Sequence, residues 1–255
     1  MNGLISFFIG SGLMIVSFLT QEIVQDNEEK NIQQIRESAK EISNQKFSKI
    51  LLTPELSLQG FPMTFEKGVK CINKENIEEI KSIAYQYSIF IGFGYFEQLN
   101  QKFYNAYSIA GPDGTLLITQ RKRKTFTYSN ENIHITSAQE TFDFHLRGIP
   151  TRIVICFGLR FPQLFDCEKE KPYLYIIPAN WPSKRIHHWE ALLIARAIEN
   201  QAWVIGVNRT GDHYNGHSMV VDPTGKVVIR SNHSIDHASL DKEIVNQIRK
   251  EFPMD

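Results

Sequence analysis

What this chain lacks most plainly is a surplus of charge: Lys+Arg and Asp+Glu each number 28 in 255 residues. Phosphate contacts need a basic surface, so a nucleic-acid partner is not expected. Cysteine is scarce. Three thiols cannot all pair, and Cys71, Cys156 and Cys167 stand at no metal-ligand spacing. Free thiols in a reducing compartment follow, and with them the expectation of a cytoplasmic protein with no metal and no cofactor. Repeats, low-complexity tracts and linkers are missing too. One domain is therefore expected. Hydrophobic residues at 42% and charged residues at 22% are ordinary for a globular protein of this length.

The N-terminus lacks charge in a different way. Residues 3–20 are almost wholly apolar, and about 20 such residues span a bilayer. No Lys or Arg precedes them, no small-x-small cleavage site follows, and Gly10, Ser11 and Gly12 interrupt the run. A buried strand over 14–19 with a dispensable extension over 1–13 fits better than a signal or anchor. No membrane partner is expected.

Apolar strands then alternate with amphipathic helices. Ile32, Ile35, Ala39 and Ile42 share one face of a helix over 31–44, and Ile77, Ile80 and Ile83 do so over 76–86. Strands are expected at 49–53, 88–94, 104–110, 115–121, 152–157, 173–177, 203–208, 218–222 and 226–230. Gly111-Pro112-Asp113-Gly114 is a hairpin turn between two of them. Helices are expected over 187–201 and 244–251. Mixed strand order with several hairpins predicts an α/β sandwich rather than a purely parallel sheet.

The informative side chains stand where strands end. Cys156 closes the apolar run Arg152-Ile153-Val154-Ile155-Cys156. Glu55 follows Leu51-Leu52-Thr53-Pro54, and Lys122 lies within Arg121-Lys122-Arg123-Lys124. A thiol attacks as the thiolate, so something must take its proton or stabilise the anion. A carboxylate whose pKa burial raises toward neutrality can act as base, and a fixed ammonium can steady an oxyanion. A lowered thiol pKa would make Cys156 label faster than Cys71 or Cys167. Taken singly, each residue also suits a bland role: a core cysteine, a solvated turn, a basic strand end.

Four ordered segments weigh against the bland roles. Leu52-Thr53-Pro54-Glu55 runs on to Gly60-Phe61. Tyr104-Asn105-Ala106 and Gly111-Pro112-Asp113-Gly114 precede Arg121-Lys122 and Phe126. Next comes Cys156-Phe157-Gly158-Leu159-Arg160-Phe161-Pro162. Last come Pro178-Ala179-Asn180-Trp181-Pro182, His188-Trp189, Ala195-Arg196-Ala197-Ile198-Glu199-Asn200-Gln201 and Asn208-Arg209. Together they resemble the nitrilase, or carbon–nitrogen hydrolase, superfamily from about residue 14 to 253. The Asn-Trp-Pro and Ala-Arg-Ala-Ile-Glu-Asn-Gln stretches are similar to its omega-amidase (2-oxoglutaramate amidase) branch.

That resemblance implies a single-domain α-β-β-α sandwich over 14–255 that forms a homodimer through a helical face. It implies attack by Cys156 on the terminal amide of a small omega-amido acid, loss of ammonia and hydrolysis of an acyl-thioester. Glu55 would be the base, Lys122 the oxyanion stabiliser, the Phe157 N–H a second donor and Glu131 an auxiliary acid. The substrate's distal carboxylate should meet a cation, with Arg185 the first candidate and Arg209 the second. Arg160 and Arg196 read instead as structural ion pairs. Trp181 and Phe61 are candidate pocket walls, and His188 is a cap or a pocket group.

Three positions depart from the family pattern. Gly158 replaces an Asp, Gln120 a Tyr and Lys124 a His. Gly158, two residues from the nucleophile, puts substrate choice and rate in question, and a short tail after Pro253 should weaken dimer contacts. An N-carbamoyl-amine hydrolase, a catalytically weak scaffold and a Cys–His hydrolase are the rival readings.

Overall fold

Apolar alternation in Leu13–Leu19 makes β1. Asn27 caps α1 (Glu28–Ser43), its Oδ1 accepting from the Lys30 N–H at 3.0 Å. Glu28 and Glu29 occupy the first turn, where the helix dipole favours acids. β2 (Ile50–Leu52), α2 (Lys74–Tyr87), β3 (Phe90–Leu99), β4 (Lys102–Ala110) and β5 (Leu116–Arg121) follow. The one-turn α3 (Glu131–His134) leads to β6 (Asp143–Leu146) and β7 (Ile149–Ile153). β8 (Leu174–Ala179), α4 (Ile186–Asn200) and β9 (Trp203–Asn208) come next. The hairpin of β10 (Thr210–Gly211) and β11 (Tyr214–Asn215) precedes β12 (Ser218–Val221), β13 (Val227–Ser231), β14 (Ile235–Asp241) and α5 (Lys242–Glu251). This computed structural model describes residues 13–45, 49–62, 65, 68–167, 170–231 and 234–254.

The strands form two six-stranded sheets, ordered β14-β1-β2-β3-β4-β5 and β13-β12-β9-β8-β7-β6. Each has a parallel centre, β1-β2-β3 in one and β7-β8-β9 in the other, with antiparallel flanks. Side-chain period 2 sorts the faces. Ile50 and Leu52 join the core that also holds Ile153 and Ile176 of the second sheet. Leu51, between them, faces the helices and packs with Ile35, Ile42, Ile80 and Ile83. Trp189, Leu193 and Ala197 of α4 cover the far side of the second sheet. Gly206 makes room there, because a Cβ on it would lie 2.5 Å from the Trp189 ring. The result is the expected α-β-β-α sandwich.

Several local expectations need correction. The strand predicted over 152–157 stops at Ile153, and Cys156 opens a 3-10 turn, Cys156–Arg160. β3 runs past 94 to Leu99. β6 and β14 were not foreseen. In β14 only Ala238 and Leu240 are buried, and the other places are Ile235 and four polar residues, Asp236, His237, Ser239 and Asp241, so the apolar signal is thin. Its pairing with β1 supplies what the composition does not. Leu13 pairs with Asp241 and so belongs to the sheet, not to an extension. The rest of the 1–13 segment lies outside the described residues. Among the described residues, no helix is long and apolar enough to cross a membrane.

Candidate active site

Strand ends from both sheets deliver the site. From the first sheet, β2 is followed by Thr53, whose hydroxyl and N–H bond the Gly92 carbonyl at 2.8 and 3.1 Å. This sets Glu55 two residues on. The Glu55–Leu56 backbone passes so close to β3 that a Cβ on Gly94 would sit 2.3 Å from the Leu56 nitrogen. Only glycine fits there. Lys122 follows β5, its N–H held by the Asn105 carbonyl at 2.8 Å. From the second sheet, β7 leads to Cys156 and β8 to Asn180. Cys156 has φ +44°, a left-handed backbone uncommon outside glycine, which turns the thiol off the strand direction.

These groups form one buried network. Lys122 Nζ donates to Glu55 Oε1 at 2.7 Å and to Glu131 Oε2 at 2.9 Å. Asn105 Nδ2 donates to both carboxylates, at 2.9 Å to Glu55 and 3.0 Å to Glu131. The Phe126 N–H donates to Glu131 at 2.6 Å. From the opposite sheet, Asn180 donates its N–H to Glu55 Oε2 at 3.0 Å and its Nδ2 to the Glu55 carbonyl at 2.8 Å. Glu55, Lys122 and Glu131 are each at most 1% exposed. Burial of such charges is tolerable because each is bonded several times.

The protonation pattern differs from the sequence-based expectation. Burial pushes the Glu55 carboxyl up. The Lys122 charge and bonds from Lys122, Cys156 and Asn180 outweigh it and hold the group below its ordinary value. Burial, then the negative charge of Glu55, pushes the Cys156 thiol well above its ordinary 9.0, although Lys122 and the Asn180 N–H pull the other way. Lys122 is stripped of solvent, yet Glu131 and Glu55 raise its pKa. The resting site is therefore carboxylate, ammonium and thiol. The thiol pKa thus lies on the opposite side of its ordinary value from the expected lowering, first because burial strips the sulfur of solvent and then because the Glu55 carboxylate lies beside it. Burial likewise fails to bring Glu55 toward neutrality. The thiol's side-chain partner is Glu55 rather than a histidine, which removes the basis of the Cys–His reading.

A cavity of about 360 Å³ opens onto this network. Cys156, Glu55 and Lys122 lie in its lining, as do four expected substrate-binding residues, Phe61, Phe157, Trp181 and Arg185. Lys122 Nζ stands 5.6 Å from the centre of the Phe61 ring. Trp181 Nε1 donates to the Arg185 carbonyl at 2.8 Å, tying one wall to the next. Arg209 is not in the lining. Its guanidinium bonds the Ile23 and Thr210 carbonyls and lies over the Tyr214 ring. Glu131 does not line the cavity either and reaches the site through Lys122 and Asn105.

Arg160 is the residue that sequence reasoning misplaced. Arg196 does form the expected ion pair, with Glu199 at 2.5 Å. Arg160 lines the cavity and has no carboxylate partner among the described residues. Desolvation, then the charge of Arg185, lowers its pKa. Both arginines line the cavity, and neither forms an ion pair with an acid among the described residues. Asn105 and Asn180 were also missed as site residues, although both stood inside the quoted motifs. Gly158 lines a separate void of about 10 Å³ together with Gln120, so two of the three departures from the family pattern are neighbours. A Cβ on Gly158 would press on Val154 and Leu164, away from the cavity. Gln120 anchors the loop before β6, bonding the Glu140 carbonyl and the Phe142 N–H.

A buried thiol, carboxylate and ammonium thus meet at the ends of strands from two packed sheets. The chain belongs to the carbon-nitrogen hydrolase family, whose model matches residues 16–246, and it is an amide-hydrolysing enzyme. It is 29% identical to the 2-oxoglutaramate amidase of Bacillus subtilis over 82% of this chain and 84% of that one. It is 30% identical to the omega-amidase YafV of Escherichia coli K12 over 80% of this chain and 82% of that one. A hydrolase in the agr operon of Staphylococcus aureus is 31% identical over 94% of this chain and 96% of its own. Among solved structures, a CN-hydrolase superfamily protein from Xanthomonas campestris, with an arsenic adduct in its active site, superposes with a TM-score of 0.85. It is 26% identical, over 94% of this chain and 95% of that one.

Proposed function

We propose that this enzyme removes the terminal amide of a small omega-amido acid of the 2-oxoglutaramate or succinamate kind, releasing ammonia. One observation carries the reading: Arg160 and Arg185, without carboxylate partners among the described residues, wall a cavity whose lining includes Cys156. Two guanidiniums without an acid partner among the described residues call for a ligand anion, and a carboxylate at the far end of the substrate supplies it. The names of the Bacillus and Escherichia relatives favour the same substrate class.

In this reading Cys156 attacks the amide carbon while its proton passes to Glu55. The carbonyl oxygen becomes an oxyanion held by Lys122 and the Phe157 N–H, which lies early in the 3-10 turn. Glu55 returns the proton to the departing nitrogen, and ammonia leaves an acyl-thioester. Glu55 then takes a proton from water, which attacks the thioester and frees the acid and the thiol. Asn105 and Glu131 keep Lys122 charged and in place throughout. Glu55 rests as the carboxylate and is a weak acceptor for so weak an acid, so its proton uptake is coupled to formation of the sulfur–carbon bond rather than completed before it.

Ammonia release from a panel of amides tests this. 2-Oxoglutaramate and succinamate should outrun neutral amides of equal length, such as butyramide. Equal rates across the panel, or fastest turnover of N-carbamoyl compounds, would leave only the family assignment. We also read the protein as a cytoplasmic homodimer. Ile198 on α4 is 49% exposed and Phe252, after α5, is 70% exposed, apolar surface that a second copy would cover. Light scattering at the mass of one chain would exclude the dimer.

A further inference from the structure

Arg160 has two neighbours that fix its head group. Its guanidinium carbon lies 4.7 Å from the centre of the Trp181 ring, and its Nη2 approaches His188 Nδ1 at 3.1 Å. Arginine can only donate, so Nδ1 must accept, and the imidazole must be neutral with its proton on Nε2. His188 is held in register by the helix that carries it. The next residue, Trp189, is fully buried against the second sheet and donates Nε1–H to the His217 carbonyl at 2.7 Å. His188 itself does not line the cavity.

We infer that His188 is a positioning residue: its neutral imidazole holds the Arg160 guanidinium in the orientation that receives the carboxylate of the substrate. This rests on the reading that Arg160 meets that carboxylate. Indole stacking alone leaves the guanidinium free to turn about the ring normal. The bond to Nδ1 removes that freedom and still leaves the donors on the far side of the fork for a ligand. A protonated His188 would present an N–H to Arg160, so the bond would be lost and two cations would repel.

The charged surroundings of His188 are of one sign. Arg160 reaches it from the 3-10 turn, Arg185 from the start of α4 and His187 from the same helix, its ring 4.2 Å away. The nearest acid along the helix, Glu190, is engaged by His217 and Arg230. Desolvation, then the charges of His187, Arg160 and Arg185, lower the His188 pKa from its ordinary 6.5. The neutral form therefore prevails at neutral pH. Acidification should release Arg160 before it touches Glu55 or Cys156.

The test is the ratio of kcat/KM for succinamate to that for butyramide, measured from about pH 5.5 to 8, where an imidazole titrates. Taking the ratio cancels the chemistry common to both amides. For the native enzyme it should fall as pH drops, through a rising KM for succinamate. His188→Ala should lower it about ten-fold at neutral pH, the effect expected for a lost bond to a charged group. His188→Asn, which keeps an acceptor and cannot titrate, should restore most of the ratio and flatten its pH profile. An unchanged ratio in His188→Ala overturns the inference, as does failure of Asn to rescue it or an Asn profile as steep as the native one. Arg160→Ala separates the two levels. If it erases the succinamate preference while His188→Ala does not, the inference about His188 alone falls. If it leaves the preference intact, the carboxylate reading falls with it.

Discussion

The floor and the rim of the cavity handle charge in opposite ways. On the floor, Glu55, Lys122 and Glu131 are buried and bonded to one another, to Asn105 and, through Glu55, to Asn180. On the rim, Arg160 and Arg185 are half-buried, touch aromatic faces and have no acid among the described residues. The floor has its counter-charges built in, as a preorganised catalytic site requires. The rim leaves its counter-charge to be supplied by what binds. Substitutions on the floor should therefore damage turnover and fold together, and substitutions on the rim should change only which amide is preferred.

The largest break in that contrast comes from the nucleophile. Cys156→Ala should abolish ammonia release from every amide, and its melting curve should stay near the native one, because it removes a single sulfur beside a cavity. Residual turnover in that variant would remove Cys156 from the role.

Glu55→Gln and Lys122→Met come next, and they differ in kind. Glu55→Gln removes proton transfer, so kcat should fall by roughly 10²–10⁴-fold, the contribution typical of such catalysis, with KM little changed. Lys122→Met removes the cation between two carboxylates. Breaking a buried pair typically costs about 3–5 kcal/mol of stability, and loss of an oxyanion donor about 10²–10³ in kcat. Denaturant titration and steady-state kinetics should show both losses. A Lys122→Met enzyme with native stability would contradict the floor's account.

A pH experiment sharpens the contrast. The Cys156 pKa is raised in the folded protein, so its contribution to stability is present below the ordinary 9.0 and is lost as pH rises through the folded value. The Glu55 pKa is lowered, so its contribution is present above the ordinary 4.5 and is lost as pH falls through the folded value. Alkylation of Cys156 by a small reagent should stay slow through pH 9 and rise only above it. In Glu55→Gln, which lacks the charge that opposes the thiolate, the rise should begin at lower pH. Identical profiles would show that Glu55 does not set the thiol.

The smallest effect belongs to the rim. Arg185→Gln should reduce the succinamate-to-butyramide ratio by about ten-fold, the worth of one charge-assisted bond, and leave the Tm within a degree or two. A drop of both substrates together would move Arg185 from the rim to the floor.

What the sequence made legible divides along the same line. Glu55, Lys122 and Cys156 were singled out because their motifs resemble those of the carbon–nitrogen hydrolase family, and the structure brings all three to one cavity. The sandwich was legible because helical and strand periods alternate cleanly through the first half. Arg160 was not. Nothing in Gly158-Leu159-Arg160-Phe161 tells that its acid partner is missing, because that depends on Trp181 and His188 arriving from later in the chain. The state of the thiol was hidden as well. Its direction turns first on how deeply the sulfur is buried and then on which charge lies beside it, and spacing along a strand holds neither. β14 was missed because its stability comes from pairing with β1 and not from its own side chains.

The bonds from Asn180 to Glu55 join residues 125 positions apart that hang from different sheets. In the proposed mechanism the base belongs to one layer, and the thiol it serves belongs to the other. On that mechanism catalysis is a measure of alignment between two slabs. A slip of about one ångström along the seam would keep every strand paired and every helix seated, yet pull proton acceptor from nucleophile. Under gentle denaturant or pressure, turnover should fail while circular dichroism still reports an intact fold.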